Sequence, residues 1–250
     1  MSWDAALVGA GFLAGAMNSV AGGGTFVTLP ALTLAGLPAT VGNASSTVAL
    51  FPGTLASAWA YRHDVQPLDS VGTEALLTLS LLGGLIGALL LLSTPERAFT
   101  LIVPWLLLAA TIALASGPRL GHALRAVGLQ MGRRSLFLAQ FILGIYGGYF
   151  GGAVGLMMLA VWTVFTSVEL RSMTPLRVLM VAAANGVAVI CFTLSGNIRW
   201  RETLVVMAGG IVGGYLGAHA GRRLPAPLLR ALILTITIVT TAGFFLRLNG

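Results

Sequence analysis

The sequence predicts an all-α polytopic membrane protein made of two inverted-topology repeats, each a broken, re-entrant helix hairpin plus three transmembrane helices. Three observations predict it. The 250 residues are 57% hydrophobic and only 8% charged, about a third of the roughly 25% charge that covers a soluble surface. Long charge-free runs alternate with short stretches that carry Arg and Pro. Two of those runs, one in each half, are interrupted by glycine clusters that correspond in order and spacing. This composition excludes a soluble enzyme and a disordered chain, because lipid is the solvent that so apolar a surface tolerates.

From Ala5 to Tyr61 there is no charged residue. This stretch opens with a run broken at Ala21-Gly22-Gly23-Gly24-Thr25, continues to Pro38, and then holds a separate span from about Gly42 to Tyr61. Single spans follow at Ala75–Pro95 and Ala98–Pro118. After an Arg-rich stretch comes Ser135–Val168, 34 residues long. As one helix it would measure about 51 Å, against a hydrocarbon core of about 30 Å. That is too long for one crossing and too short for two. Its middle, Gly147-Gly148-Tyr149-Phe150-Gly151-Gly152-Ala153-Val154-Gly155, breaks the helix as the first cluster does. Irregular backbone at membrane depth survives only inside protein or against a wet cavity. Spans at Val178–Ile198, Thr203–Gly221 and Ala231–Leu246 complete the chain.

The halves align. Setting Gly15 on Gly144 places Gly22-Gly23 on Gly151-Gly152. Further on, Gly83-Gly84-Leu85-Ile86-Gly87 matches Gly213-Gly214-Tyr215-Leu216-Gly217, and Pro95 matches Pro225. The expected organisation is a first repeat over 1–116, a cytoplasmic Arg-rich linker over 117–134, and a second, inverted repeat over 135–250.

All 14 basic residues are arginine, for a net charge of +7. On a membrane protein this charge faces cytoplasmic lipid headgroups, so no nucleic-acid partner is expected. With the linker (Arg119, Arg125, Arg133, Arg134) inside, the hairpin topology also puts Arg62, Arg171, Arg177, Arg222, Arg223 and Arg230 inside. It leaves Arg97, Arg199, Arg201 and Arg247 outside, a division of 10 against 4. Letting each broken segment cross once divides them 8 against 6. The positive-inside bias selects the hairpins. Three crossings per repeat invert one half relative to the other and place both termini outside. Paired, glycine-interrupted segments in inverted repeats mark secondary transporters with a midplane site.

The candidate site residues cluster around the two elbows. The first elbow carries Asn18, Gly22, Gly23, Gly24 and Thr25, and the next helix is expected to open at Gly42 with Asn43, Ser45, Ser46 and Thr47 as caps. The second elbow carries Tyr149, Gly151 and Gly152. In the segment that follows, Pro175 suits the first turn of a helix, which puts Arg177 about one turn in and Asn185 two turns further on the same face. Helix N-termini and one arginine at membrane depth suit an anion. The acids Asp4, Asp64, Asp69, Glu74, Glu96, Glu169 and Glu202 all sit at run ends or in loops, so no carboxylate is placed for cation or proton relay. His219 is the titratable residue within a span that leaves proton coupling open. The patterns of metalloproteases, serine hydrolases and P-loops are missing, and there is no Cys/His cluster. No metal, cofactor or enzymatic activity is therefore expected. The single cysteine, Cys191, cannot pair within the chain.

The run Ala14-Gly15-Ala16-Met17-Asn18-Ser19-Val20-Ala21-Gly22-Gly23-Gly24-Thr25-Phe26, followed by Pro30-Ala31-Leu32, Gly36-Leu37-Pro38 and Asn43 to Gly53, resembles the sulfite exporter TauE/SafE family of membrane permeases. The second half is similar through Gly147–Gly155, Arg177, Asn185 and Gly196-Asn197-Ile198-Arg199-Trp200. It departs from the family pattern at Ala153, where a third glycine is expected. The resemblance implies a multi-pass carrier in the bacterial inner membrane that exports small sulfur-containing anions, such as sulfite or organosulfonates like sulfoacetate. An anion channel of the same architecture and a non-transporting membrane assembly protein are the alternatives. Oligomeric state is left open.

Overall fold

The computed structural model describes residues 3–20, 22–69, 71–126, 132–166, 168–221 and 226–249. These form ten helices: α1 (Trp3–Val20), α2 (Thr25–Leu34), α3 (Ala39–Ala60), α4 (Thr73–Ser93), α5 (Glu96–Ala126), α6 (Arg133–Tyr149), α7 (Val154–Phe165), α8 (Leu170–Leu194), α9 (Trp200–Gly221) and α10 (Ala226–Asn249). Among them, Thr73–Ser93, Glu96–Ser116 and Arg171–Leu194 are long and apolar enough to cross a membrane. The expected linker is partly helical, since α5 continues through Ala126. Residues 127–131 of that linker, together with Arg222, Arg223 and Pro225, lie outside the described residues. So do the side chains of Arg119, Arg125, Arg230 and Arg247.

Both expected breaks are present. The first elbow has left-handed backbone at Gly22 (φ 74°) and Gly23 (φ 109°), and the second at Gly151 (φ 74°) and Ala153 (φ 57°). Glycine takes this conformation without a Cβ clash. Ala153, the departure from the glycine pattern, takes it as well and leads into α7. The helices beyond the elbows are short. α2 has 10 residues and α7 has 12, so each reaches only about half of a 30 Å hydrocarbon core.

Two helices begin earlier than the sequence suggests. α3 starts at Ala39 and not at Gly42, so Asn43, Ser45, Ser46 and Thr47 lie inside the helix and are not caps. The cause is distant. Glu96, at the start of α5, accepts hydrogen bonds from the Ala39 N–H, the Thr40 N–H (3.0 Å) and the Thr40 hydroxyl (2.6 Å). A carboxylate at this end also meets the positive end of the helix dipole. Glu96→Ala is expected to cost about 1–2 kcal/mol, read as a lower thermal unfolding midpoint in detergent. α8 likewise starts at Leu170, with the Ser172 and Met173 N–H groups bonded to the Glu169 carbonyl. Arg177 is therefore two turns into α8 and not one.

Packing exchanges partners between the halves. α1 packs on α9, and α6 packs on α4. α5 meets α7 and α10 meets α2, while α3 and α8 cross at the centre. Glycine seams make the first two contacts possible. A Cβ at Gly15 would lie 2.0 Å from the Gly210 carbonyl oxygen, and one at Gly148 would lie 2.1 Å from that of Gly84. Backbones in contact at this range are the usual solution for helices in lipid, where hydrophobicity does not drive helix association.

The surface is apolar and the interior partly polar. Leu82, Ile86 and Leu89 on α4, Trp105 on α5, and Ile211 and Val212 on α9 point outward. Thr28, Asn43, Ser45, Ser46, Ser80 and Gln140 are fully buried. The buried groups find partners across helices. Trp162 Nε1 donates to Gln140 Oε1 (2.9 Å), and Gln140 Nε2 donates to Ser80 Oγ (2.8 Å), which ties α7, α6 and α4 together. This is the distribution expected of a chain solvated by lipid.

Candidate anion-binding site

The two elbows and the central helices α3 and α8 enclose a cavity of about 80 Å³. A single water needs about 10–15 Å³ on the same measure, so a small ion and several waters fit. Its polar lining comprises Asn18, Thr25, Thr47, Thr54, Ser57, Arg177 and Asn185, with backbone from Gly22, Gly23, Gly151 and Gly155. Leu50, Val154, Val178 and Val181 form the apolar part.

Each polar residue arrives for a local reason. Asn18 lies in the last turn of α1, and its carbonyl accepts from the Gly22 N–H (3.2 Å) as the chain turns. Thr25 opens α2. Thr47, Thr54 and Ser57 stand on one stripe of α3, at the spacing that repeats along a helix face. Arg177 and Asn185 share a face of α8 in the same way. The stem of Arg177 crosses Gly155, where a Cβ would lie 3.3 Å from its Cδ. At the elbow, a Cβ on Gly151 would lie 3.5 Å from Thr47 Oγ1 and 3.8 Å from Asn185 Oδ1. Glycine there brings backbone, a hydroxyl and an amide together.

Arg177 sets the electrostatics. Its Nε is buried and has no hydrogen-bond partner. Among the described residues the ion pair is Arg201 with Asp4 (2.8 Å), at the exposed ends of α9 and α1. No carboxylate lines the cavity. An uncompensated guanidinium beside two glycine elbows offers a fork of donors to an oxyanion.

Of the residues expected from sequence, the cavity gathers Asn18, Gly22, Gly23, Thr25, Thr47, Gly151, Arg177 and Asn185. The others are engaged elsewhere. Gly24 packs under the Ala14 carbonyl, where a Cβ would lie 2.7 Å from the oxygen. Asn43 Nδ2 donates to the Tyr149 carbonyl (2.9 Å), joining α3 to the second elbow. Ser45 Oγ accepts from the Arg199 N–H (3.3 Å), and Ser46 shares a hydrogen bond with Thr28. The Tyr149 hydroxyl donates to Thr94 Oγ1 (3.3 Å). A Cβ on Gly152 would lie 2.6 Å from the Phe150 ring, and its carbonyl accepts from the Tyr146 hydroxyl (3.0 Å). Thr54, Ser57 and Gly155 were missed. The first two continue the stripe of Thr47 and could have been found by helical spacing. His219 lies away from the cavity on α9, against the Tyr215 ring, with Nδ1 3.0 Å from the Tyr215 carbonyl.

The sulfite exporter TauE/SafE family model matches residues 7–244. A probable membrane transporter protein of Haemophilus influenzae is 29% identical over 93% of this chain and 90% of its own length. The Escherichia coli probable membrane transporter protein YfcA is 26% identical over 95% and 88%, and a probable membrane transporter protein of Sinorhizobium sp., ORF9, is 25% identical over 92% and 87%. No solved structure matches the chain. These relatives are named as transporters and not as enzymes. Because the family match takes in both elbows and every residue that lines the cavity, the chain belongs to the sulfite exporter TauE/SafE family of membrane transporters.

Proposed function

We propose that the protein is a secondary transporter that exports small sulfur-containing anions, sulfite or organosulfonates such as sulfoacetate, across the bacterial inner membrane. The carrying observation is Arg177, a half-buried arginine whose Nε is buried without a hydrogen-bond partner and which has no carboxylate beside it in a cavity bounded by two glycine elbows. The sulfur chemistry comes from the family. The anion preference comes from the site.

Alternating access follows from a duplicated design with halves at 1–116 and 135–250 joined by the segment 117–134. The exchange of helix partners supports that reading, since the first helix of each half packs on the fourth helix of the other. Two repeats that grip each other this way can rock about a shared centre, and α3 and α8 meet there. With the linker inside and both termini outside, the repeats are inverted and each elbow enters the membrane from its own side.

Efflux of radiolabelled anion from proteoliposomes tests the proposal. Sulfite and organosulfonates are expected to leave with saturable kinetics, while carboxylate analogues leave slowly and an imposed proton gradient shows whether the flux is coupled. Non-saturating flux would indicate a channel of the same architecture. No flux of any sulfur anion, from correctly inserted protein, would overturn the assignment.

A further inference from the structure

We infer that the hydrogen bond from Asn43 to the second elbow is the latch that closes the cavity toward the end of the molecule where α3 begins, while the cavity opens at the other end; the inference rests on the transporter reading above. The α3 residues that face the site, Thr47, Leu50, Thr54 and Ser57, recur at helical spacing. Asn43 is the next rung of that stripe, one turn before Thr47, yet it does not line the cavity. The two ends of the stripe differ in what their polar groups touch. Toward the end of α3, the Thr54 and Ser57 hydroxyls donate within their own helix, to the Leu50 carbonyl (3.4 Å) and the Gly53 carbonyl (3.0 Å). Ser57 is half-buried and lies about one turn from Ala60, the last residue of α3. Thr47 lies ten residues deeper, about 15 Å along the helix axis, or half of a hydrocarbon core of about 30 Å. Arg177 and Asn185 line the same stretch from α8.

Beyond Thr47 the polar groups bond across the two halves of the chain. Tyr149 ends α6, so its carbonyl has no donor further along its own helix. Asn43 Nδ2 supplies one (2.9 Å). The Tyr149 hydroxyl donates to Thr94 Oγ1 (3.3 Å), its ring lies 5.7 Å from that of Phe99, and the Arg199 N–H donates to Ser45 Oγ (3.3 Å). Each of these contacts joins a residue of 1–116 to a residue of 135–250. Asn43, Ser45 and Phe99 are fully buried, so the layer excludes water. It is also built to part. Its ties are single hydrogen bonds that water can replace as the layer opens, unlike the backbone contacts of the glycine seams. Asn43 Oδ1 is buried without a partner, an acceptor left unanswered while the layer is shut and hydrated once it opens. Parting α3 from the second elbow extends the lining past Asn43 to the opposite face. On the topology proposed above, the open end faces the cytoplasm, the side from which an exporter loads, and Asn43 closes the outer side.

Side-specific labelling of the full-length protein in membrane vesicles tests this. Thr47→Cys and Ser57→Cys, each in a Cys191→Ser background, are treated with a membrane-impermeant maleimide in inside-out and in right-side-out vesicles. Both are expected to react from the cytoplasmic face. Thr47→Cys is expected to react at least about tenfold faster there than from the outer face, as an outward-open minor state of about 10% or less allows. Adding Asn43→Ala is expected to raise the outer-face rate about fivefold, the worth of one hydrogen bond. Tyr149→Phe, which keeps the ring and loses the Thr94 bond, is expected to raise it less. A merely loosened fold would raise both faces alike. Equal rates from the two faces, faster reaction from the outer face, or no reaction from the cytoplasmic face overturns the inference. So does an outer-to-cytoplasmic ratio that neither Asn43→Ala nor Tyr149→Phe changes. Efflux assays keep the two readings apart. Two-sided labelling with saturable flux overturns the latch alone, and one-sided labelling without flux of any sulfur anion overturns the transporter reading alone. The first comparison involves neither latch variant, so it does not depend on their folding.

Discussion

Arg177→Ala is expected to lower anion affinity by about 100-fold or more while the protein still inserts and folds. The magnitude follows from the role. Removing one member of a buried, hydrogen-bonded charge pair typically costs 2–5 kcal/mol, or roughly 30- to 5,000-fold in binding. The sign on stability separates this from a structural role. Without ligand, Arg177 is a half-buried cation whose Nε is buried and unpartnered and which has no carboxylate beside it, so removing it leaves the ligand-free unfolding midpoint unchanged or higher. A packing arginine would lower it. Arg177→Lys keeps the charge but loses the planar fork, and intermediate affinity is expected. The measurement is sulfonate binding by calorimetry alongside thermal unfolding of the same samples. Wild-type affinity in Arg177→Ala would remove the residue from the site.

Gly15→Val is expected to cause the largest loss of stability, about 3 kcal/mol, at the upper end of overpacking costs. A Cβ there would lie 2.0 Å from the Gly210 carbonyl oxygen and 2.8 Å from the Gly214 nitrogen. Both contacts are backbone, so no side chain can swing aside. α1 and α9 must separate, and this seam holds the first half of the chain to the second. Gly148→Val should behave alike, because it meets Gly84 across the α6–α4 seam. Gly53→Ala is the control. Nothing lies within 4 Å of a Cβ there, and exchanging glycine for alanine inside a helix favours folding. Thermal unfolding in detergent, with size-exclusion chromatography to report the folded fraction, distinguishes the three. A Gly15→Val protein as stable as Gly53→Ala would mean that the two helices do not touch as described.

Much of the architecture could be read from the chain. Ser135–Val168 was too long for one span and too short for two, and it folds as α6 and α7 around Gly151 and Ala153. The spacing of Arg177 and Asn185 put both on one face of a helix, and both line the cavity. The α3 start was not legible from nearby residues. Gly42 to Thr47 looked like a capping sequence, but the cap is Glu96, 57 positions beyond Ala39. Nor could the polar run Asn43 to Thr47 be sorted locally. Successive residues on a helix point about 100° apart. Ser45 therefore reaches Arg199, Ser46 reaches Thr28, and Thr47 is left to the cavity.

The sequence by itself determined the solvent, the helices and the two elbows. Hydropathy sets the first two residue by residue, and glycine relieves the steric limits on φ wherever it occurs. Only the tertiary structure decided which helix of one half grips which helix of the other, and which of several neighbouring hydroxyls faces the cavity. Those outcomes depend on close approach between different helices, some far apart in the chain, as between Gly15 and Gly210. The periodicity of one helix reports that a face is small or polar, but the identity of its neighbour is a property of the packed pair.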